Sequence, residues 1–382
     1  MDHATQVELI RRIQEHLRTG TTHMEAEESR IPVEAYLRAE RLEAERELLF
    51  QRRPLLVAHR SQLPEAGDYL THDASGLPLL LCRTPLGEPA AFLNVCRHRG
   101  TRLVEEACGR HKHAFVCPYH GWTYDTEGSL RAVPHEAGFP SRPSESVGLA
   151  RVSVAERFGF LWAQGRKDSR FAADAFLSPL AAELASYRLE THVVYRPQRF
   201  ELKLNWKLAI ELFLEAYHVR NAHRTSIYPL FIDNVGLMDR LAPHQRCVFP
   251  KRTLRDLAGT PEETWRLRQH ANILYFIFPN TLMLVLEDHV NITTVFPLEL
   301  DRTDFRTFTL IPEAPANEKA FRHWDEHVDL LMDSVREDIH LGESIQRGLR
   351  SGANAALRLA RFEHGLRYFH EAVEQALGGR GQ

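Results

Sequence analysis

Apolar side chains recur with a helical period through roughly the first 50 residues, at Val7, Leu9, Ile10, Ile13 and Leu17 among charged neighbours. This predicts a helical arm over residues 1–44 with much exposed surface, or one that meets another subunit. The period then changes. Short apolar runs at 54–58, 77–82, 91–95, 114–117, 122–124 and 158–163, set apart by Gly and Pro turns, predict strands. The turn Asp125-Thr-Glu-Gly128 suits a hairpin. Residues 45–165 therefore read as a small all-β module.

Beyond it the periods mix. Helical spacing covers 171–187, strand signals run through 192–195 and 199–203, and a strong helix is expected over 206–218. Strand-like runs follow at 273–278, 281–286, 292–296 and 305–310, then helices over 316–351 and 361–377. The expected fold class is α+β: the small all-β module, then a domain over 166–382 with an antiparallel sheet flanked by helices.

A chain of 382 residues suits two to three domains. The net charge of −3 carries no polyanion signature, so nucleic acid is not an expected partner. No run of eighteen apolar residues occurs, so no membrane span is expected. The N-terminus lacks a basic stretch followed by an apolar one, as a signal peptide would need. Of five cysteines, Cys82, Cys108 and Cys247 are widely spaced and read as free thiols in a reducing compartment, with the cytoplasm as default.

Two short segments carry candidate chemistry. Cys96-x-His98 is followed, after eighteen residues, by Cys117-x-x-His120. Each segment supplies one thiolate and one imidazole, so the set can hold a [2Fe–2S] cluster whose two irons differ chemically. Two imidazoles in place of thiolates remove negative charge and raise the potential. Tetrahedral zinc is the competing reading, although zinc sites usually pair Cys with Cys and His with His on separate elements. His111 and His113 in the spacer are expected to face solvent.

The second segment runs from Asn205 to His223, with His218 and His223 five apart. Two His and one carboxylate on one face bind Fe(II) and leave positions open for O2 and substrate. In a regular helix the two would point about 140° apart, so the helix must end or widen between them. For the carboxylate, Leu331, Val335, Gly342, Ile345 and Leu349 form one helical stripe with Asp338 near its centre, whereas Asp329, Asp333, Glu337 and Glu343 fall off it. The bland alternative pairs Asp338 with a buried Arg. Glu211, Glu215 and His218 would share a helical face, which makes Glu215 a candidate to bridge to a neighbouring electron donor. Asn205 is a weaker candidate for orienting the iron site. Tyr217 is as well explained by core packing. Phe213, Leu214, Phe231, Leu284 and Leu286 are candidates to line an apolar pocket. His135, His244 and His270 lack a partner at ligand spacing; so does His289, beside Asp288, which could line that pocket.

With both segments in hand, the chain resembles the α subunit of Rieske non-haem iron oxygenases, the ring-hydroxylating family. The likeness spans most of the chain: the Cys96/His98/Cys117/His120 set, Asn205-Trp-Lys, Tyr217-His218 with His223, and Glu337-Asp338 followed by Gln346-Arg-Gly348. The resemblance implies a [2Fe–2S] cluster on the first set, Fe(II) on His218, His223 and Asp338, and Glu215 as the catalytic bridge where the family more often has Asp. It implies electrons from a separate ferredoxin or flavin reductase using NAD(P)H, and O2 with a small organic substrate that is hydroxylated, dihydroxylated or oxidatively demethylated. It also implies a homotrimer in which His120 of one copy approaches Glu215 and His218 of the next. No Gly-x-Gly-x-x-Gly follows a strand, so NADH or flavin is not expected on this chain. The rivals are a Rieske electron carrier without oxygenase activity, which would hold about two irons instead of three, and a zinc-stabilised binding protein without a visible redox spectrum.

Overall fold

The computed structural model describes residues 1–73, 75–141, 147–167 and 171–378. It divides into two compact units, Arg46–Leu177 and Met1–Glu45 with Ser178–Gln382.

The smaller unit is all-β except for short helical turns. Leu55–His59, Phe160–Lys167 and Val152–Arg157 form one antiparallel sheet, and Pro89–Leu93, Leu79–Arg83, Tyr69–His72 and Cys108–Gly109 a second. Ala114–Val116, Thr123–Asp125 and Leu130–Ala132 form a third, whose last hairpin turns through the expected Asp125–Gly128 segment. Tyr69, Leu80, Phe92, Phe115, Trp122 and Tyr124 pack into one core that also encloses Cys96 and Cys117.

The larger unit is built on a seven-stranded antiparallel sheet. Its strand order is Val193–Leu202, Arg302–Ile311, Val290–Glu299, Thr281–Val285, Ala271–Ile277, His244–Pro250 and Leu237–Leu241. Because side chains alternate across a strand, one face carries Asn272, Leu274, Leu284 and Leu286. The helix Glu318–Leu349 carries a buried stripe through Val328, Val335, Asp338 and Gly342.

Several expectations change in the structure. The first 45 residues fall in the larger unit. Their apolar stripe is buried at Val7, Leu9, Ile10 and Ile13, and Ser29–Pro32 pairs with Ala356–Leu359. The helical region 171–187 splits into Ala173–Leu177 and Ala181–Ser186, because Pro179 disfavours helical backbone at Ser178. The two strand signals near 195 and 199 are one strand, bulged where Arg196-Pro197 breaks the register. The helix expected over 206–218 stops at Glu211, where Phe213 and Leu214 bond back three residues instead of four and tighten the last turn. Ile345 is exposed, and Gln346 turns inward in its place to accept the Asn205 N–H at 2.8 Å.

That short helix, Trp206–Glu211, is fixed by charge as well as by apolar packing. Lys207, fully buried, places its ammonium 2.7 Å from Oε1 of buried Glu45, whose Oε2 accepts the Trp206 indole N–H at 2.8 Å. One turn on, Glu211 Oε1 accepts from the Tyr36 hydroxyl and lies 2.8 Å from His370 Nε2. Removing Lys207 leaves Arg41 as the cation facing buried Glu45, its Nε 3.0 Å from Oε1. Lys207→Met should therefore lower unfolding free energy by about 3 kcal/mol, the low end for a broken buried pair, and Glu45→Gln in the same chain should restore part of it, as read by denaturant titration.

Candidate metal centres

Two loops in the smaller unit follow one hydrogen-bond plan. Cys96 N–H donates to Thr101 O and Gly100 N–H to Cys96 O, at 2.8 and 3.0 Å. Cys117 N–H donates to Trp122 O and Gly121 N–H to Cys117 O, again at 2.8 and 3.0 Å. Gly100 and Gly121 both take left-handed backbone, with φ of 79° and 71°, which closes each loop tightly. The result presents two buried thiols on the inner side and two imidazoles farther out. His98 Nδ1 and His120 Nδ1 lie 3.2 Å apart, His98 stacks on Trp122 at 4.9 Å, and His120 is exposed. Tyr124, buried, sets its hydroxyl 3.5 Å from Cys96 Sγ and accepts the Arg97 N–H at 3.0 Å. Burial pushes the Cys117 thiol up, with Cys96 beside it.

A single tetrahedral ion needs its donors within about 4 Å of one another. Among the described residues, two groups of three or more His, Cys, Asp or Glu bring ligand atoms within 4.8 Å, and neither contains these four. Imidazoles paired apart from thiols suit a cluster that divides its ligands between two irons. His111 and His113 are exposed, as expected.

In the larger unit the structure brings His218, His223 and Asp338 together, with one ligand atom from each within 4.8 Å. The helix ends before His218, and a separate one-turn helix, Val219–Ala222, fills the space between the two His. Each His caps one end of that turn, so the regular 140° divergence does not apply. Their rings stand 5.2 Å apart at 70°. Asp338 Oδ1 is 2.9 Å from His223 Nε2 and 3.4 Å from His218 Nε2. No Arg pairs with it in these contacts.

The other ring nitrogens face carboxylates. Glu215 bonds His218 Nδ1, and Glu337 Oε2 lies 2.6 Å from His223 Nδ1 while accepting the Ser226 hydroxyl at 2.6 Å. Carboxylates on Nδ1 fix the tautomer and leave both Nε2 lone pairs aimed at one region. Asp338 is 5% exposed, and its Oδ1 has no aligned hydrogen-bond donor despite those close nitrogens. A buried acceptor facing two imidazole lone pairs is satisfied by a cation among them. These residues fit an iron.

Burial alone would lower His218 and His223. Glu215 and then Asp338 raise the first, and Asp338 and then Glu337 raise the second, so both end above the ordinary histidine value. Burial pushes the Asp338 carboxyl up, against the pull of both imidazoles.

Glu215 does not stand on a helical face with Glu211. It lies in the irregular stretch after Glu211, and its carboxylate also accepts the N–H groups of Tyr217 and His218. Such local bonds compete with helix. Asn205 caps the helix Trp206–Glu211 through Lys207 N–H and is not beside His218, His223 and Asp338. Tyr217 is 54% exposed, not core, with its ring on Phe362. Glu337 lies off the buried stripe of its helix, and its contact with His223 comes from a segment remote in sequence, so helical spacing carries no signal for it.

The triad opens into a cavity of about 490 Å³. Phe213, Phe231, Leu284, Leu286 and His289 line it as expected, and Leu214 does not. His244 and His270 serve as local acceptors or partners, to Phe278 N–H and Thr253.

Comparison with known proteins agrees with this geometry. Residues 185–379 match the model of the ring hydroxylating alpha subunit (catalytic domain), and residues 53–143 match the Rieske [2Fe-2S] domain. The chain belongs to the ring-hydroxylating α-subunit family. The carnitine monooxygenase oxygenase subunit of Escherichia coli (strain K12) is 27% identical over 364 residues, covering 90% of this chain and 93% of that one. The chlorobenzene dioxygenase subunit alpha of Cupriavidus sp. (strain PS12) is 36% identical over 212 residues, covering 52% and 45%. A solved quaternary ammonium Rieske monooxygenase shares the fold, with TM-score 0.80 at 23% identity, covering 91% of this chain and 95% of that one.

Membership sets the class of activity. The chain is a Rieske non-haem iron oxygenase component with a [2Fe–2S] cluster and a mononuclear iron. It takes electrons from a separate reductase and uses O2 to hydroxylate, dihydroxylate or oxidatively demethylate a small organic substrate. The catalytic domain rules out a mere electron carrier. No helix among the described residues is long and apolar enough to cross a membrane.

Glu337→Gln should weaken iron binding about 10–100-fold without changing the visible spectrum of the cluster, as measured by chelator competition. Because both histidines titrate above the ordinary value and ligands must be deprotonated, iron retention should fall as pH drops, starting above the usual histidine range.

Proposed function

We propose that Cys96, His98, Cys117 and His120 hold the cluster, that His218, His223 and Asp338 hold Fe(II), and that Glu215 links the two centres across a contact between copies. The observation that carries this reading is the pair of Nε2 atoms aimed at Asp338 from imidazoles backed by Glu215 and Glu337. When bound, the iron supplies the redox chemistry that inserts oxygen from O2 into the substrate.

The protein's own groups do the rest. The two His and one carboxylate hold three positions and leave the others open toward the cavity. Its largely Leu, Ile, Val and Phe wall binds an apolar molecule and keeps bulk water from the reacting position. Glu215 keeps His218 Nδ1 hydrogen-bonded, so a change in His218 charge is felt at the carboxylate. His120 and Tyr119 are exposed on the smaller unit and Tyr217 is exposed beside Glu215, which suits electron transfer through a surface contact. A homotrimer closed by cyclic symmetry supplies such a contact at every site. The electron source in this reading is a ferredoxin or flavin reductase using NAD(P)H. The compartment is the cytoplasm, where free thiols such as buried Cys82 and Cys247 stay reduced.

The purified protein should hold about three irons per chain, and His223→Ala about two, with the cluster spectrum retained. A wild-type value of two would overturn the triad. Glu215→Gln also loosens the backing of His218, so with its iron replenished to the wild-type level it should slow reductase-driven product formation about 10–100-fold, with dithionite reduction of the cluster unchanged; full turnover in that iron-loaded variant would remove Glu215 from the electron route.

A further inference from the structure

The cavity has a second polar region that the oxygenase reading leaves unused. His289 is 3% exposed and its Nε2 has no partner. His327, whose ring lies 5.2 Å from that of His289, has a buried Nδ1 that is also unpartnered. Both residues line the cavity. Asp288 Oδ1 lies 2.7 Å from His289 Nδ1, and its Oδ2 lies 3.1 Å from His323 Nε2. An ionised carboxylate can only accept, so the neutral His289 ring carries its proton on Nδ1 and leaves Nε2, on a residue that lines the cavity, as a buried lone pair with no protein donor.

The position is distant from the triad. Eleven residues separate His327 from Asp338 on the long helix, and at a rise of 1.5 Å per residue that is about 16 Å along its axis. His327, Leu331, Ser334, Val335 and Asp338 line the cavity along one stripe of that helix. On the facing sheet, Leu284 and Leu286 continue the apolar wall toward His289.

We propose that His289 and His327 form a substrate subsite that takes an O–H or N–H donor, with the apolar body of the substrate extending from there toward His218, His223 and Asp338. This rests on the reading of the cavity as the substrate chamber. A ligand with a donor pairs these buried nitrogens and one without leaves them unpaired, so the second is discriminated against. An anionic headgroup fits less well. Lys251 is the one Lys or Arg among the described lining residues, and its ammonium lies 3.6 Å from Glu287. A metal ion also fits poorly: Asp288, His289 and His327 are close, but the rings of the two His are near parallel at 21°, whereas those of His218 and His223 stand at 70°.

The test uses the iron-loaded holoenzyme and two matched probe pairs, benzyl alcohol against toluene and 2-phenylethylamine against ethylbenzene, with dissociation constants from equilibrium dialysis. The donor-bearing member of at least one pair should bind about tenfold more tightly or better. His289→Leu should erase that preference while iron stays at about three per chain, and His327→Leu should reduce it, which covers the case of an unstable first variant. Equal binding within both pairs, no binding of any probe, or a preference that survives both substitutions overturns the subsite. A fourth metal ion per chain that is lost in His289→Leu overturns it as well, because the lone pairs then serve an ion. An iron content of two instead defeats the reading of the triad, which separates the two failures.

Discussion

Two carboxylates, placed behind two imidazoles, decide how the larger unit does its chemistry. Glu215 and Glu337 occupy the Nδ1 atoms of His218 and His223, so both Nε2 atoms are left for Asp338 and whatever sits between them. Without these contacts either ring could flip or turn away, and a one-turn helix is too short to hold it. The carboxylates arrive by different routes. Glu215 is local, three residues from its histidine, on backbone that has left the helix. Glu337 comes from the long helix, adjacent to Asp338, so one segment sets both a member of the triad and the orientation of His223. The ion pair of Glu45 with Lys207, at the start of the helix Trp206–Glu211, anchors the segment that leads into Glu215.

The smaller unit solves a different problem with repeated geometry. Two loops with the same hydrogen bonds and the same left-handed Gly deliver Cys and His in matched positions. Thiols are sunk in the core and imidazoles face outward. In the proposed assignment, that asymmetry would place the less negative side of the cluster near the surface and keep the sulfurs away from water.

Chemistry was easier to read in the residues than geometry. Cys96, His98, Cys117 and His120 are legible because thiolates and imidazoles at short spacing have few other uses. Asp338 was legible because a carboxylate on an apolar stripe needs a partner. The strands of the all-β module followed from Gly and Pro punctuation, and the long helix from its period. The helix over 206–218 was overextended because its apolar residues keep a helical period after Glu211, while Glu215 bonding to nearby N–H groups draws the backbone away. The place of the first 45 residues was hidden for a related reason: amphipathic spacing shows that a face is covered, but not by what. Ile345 and Gln346 exchanged roles because a polar side chain with a specific backbone partner outcompetes an apolar one for the inward position. Glu337 acts through His223, a neighbour that no spacing rule connects to it, whereas His289, beside Asp288, lines the cavity as expected.

The knot of Tyr36, Glu211 and His370 joins segments from near the start, the middle and near the end of the chain within hydrogen-bond reach. The seam after Leu177 is therefore a poor place to dissect the molecule into portable modules. A fragment starting there would lack Tyr36 and Glu45, leaving Lys207 without its carboxylate and Glu211 without its hydroxyl, immediately upstream of Glu215. Recombining oxygenases by swapping halves at that seam would carry the same defect unless the leading segment travels with the C-terminal half.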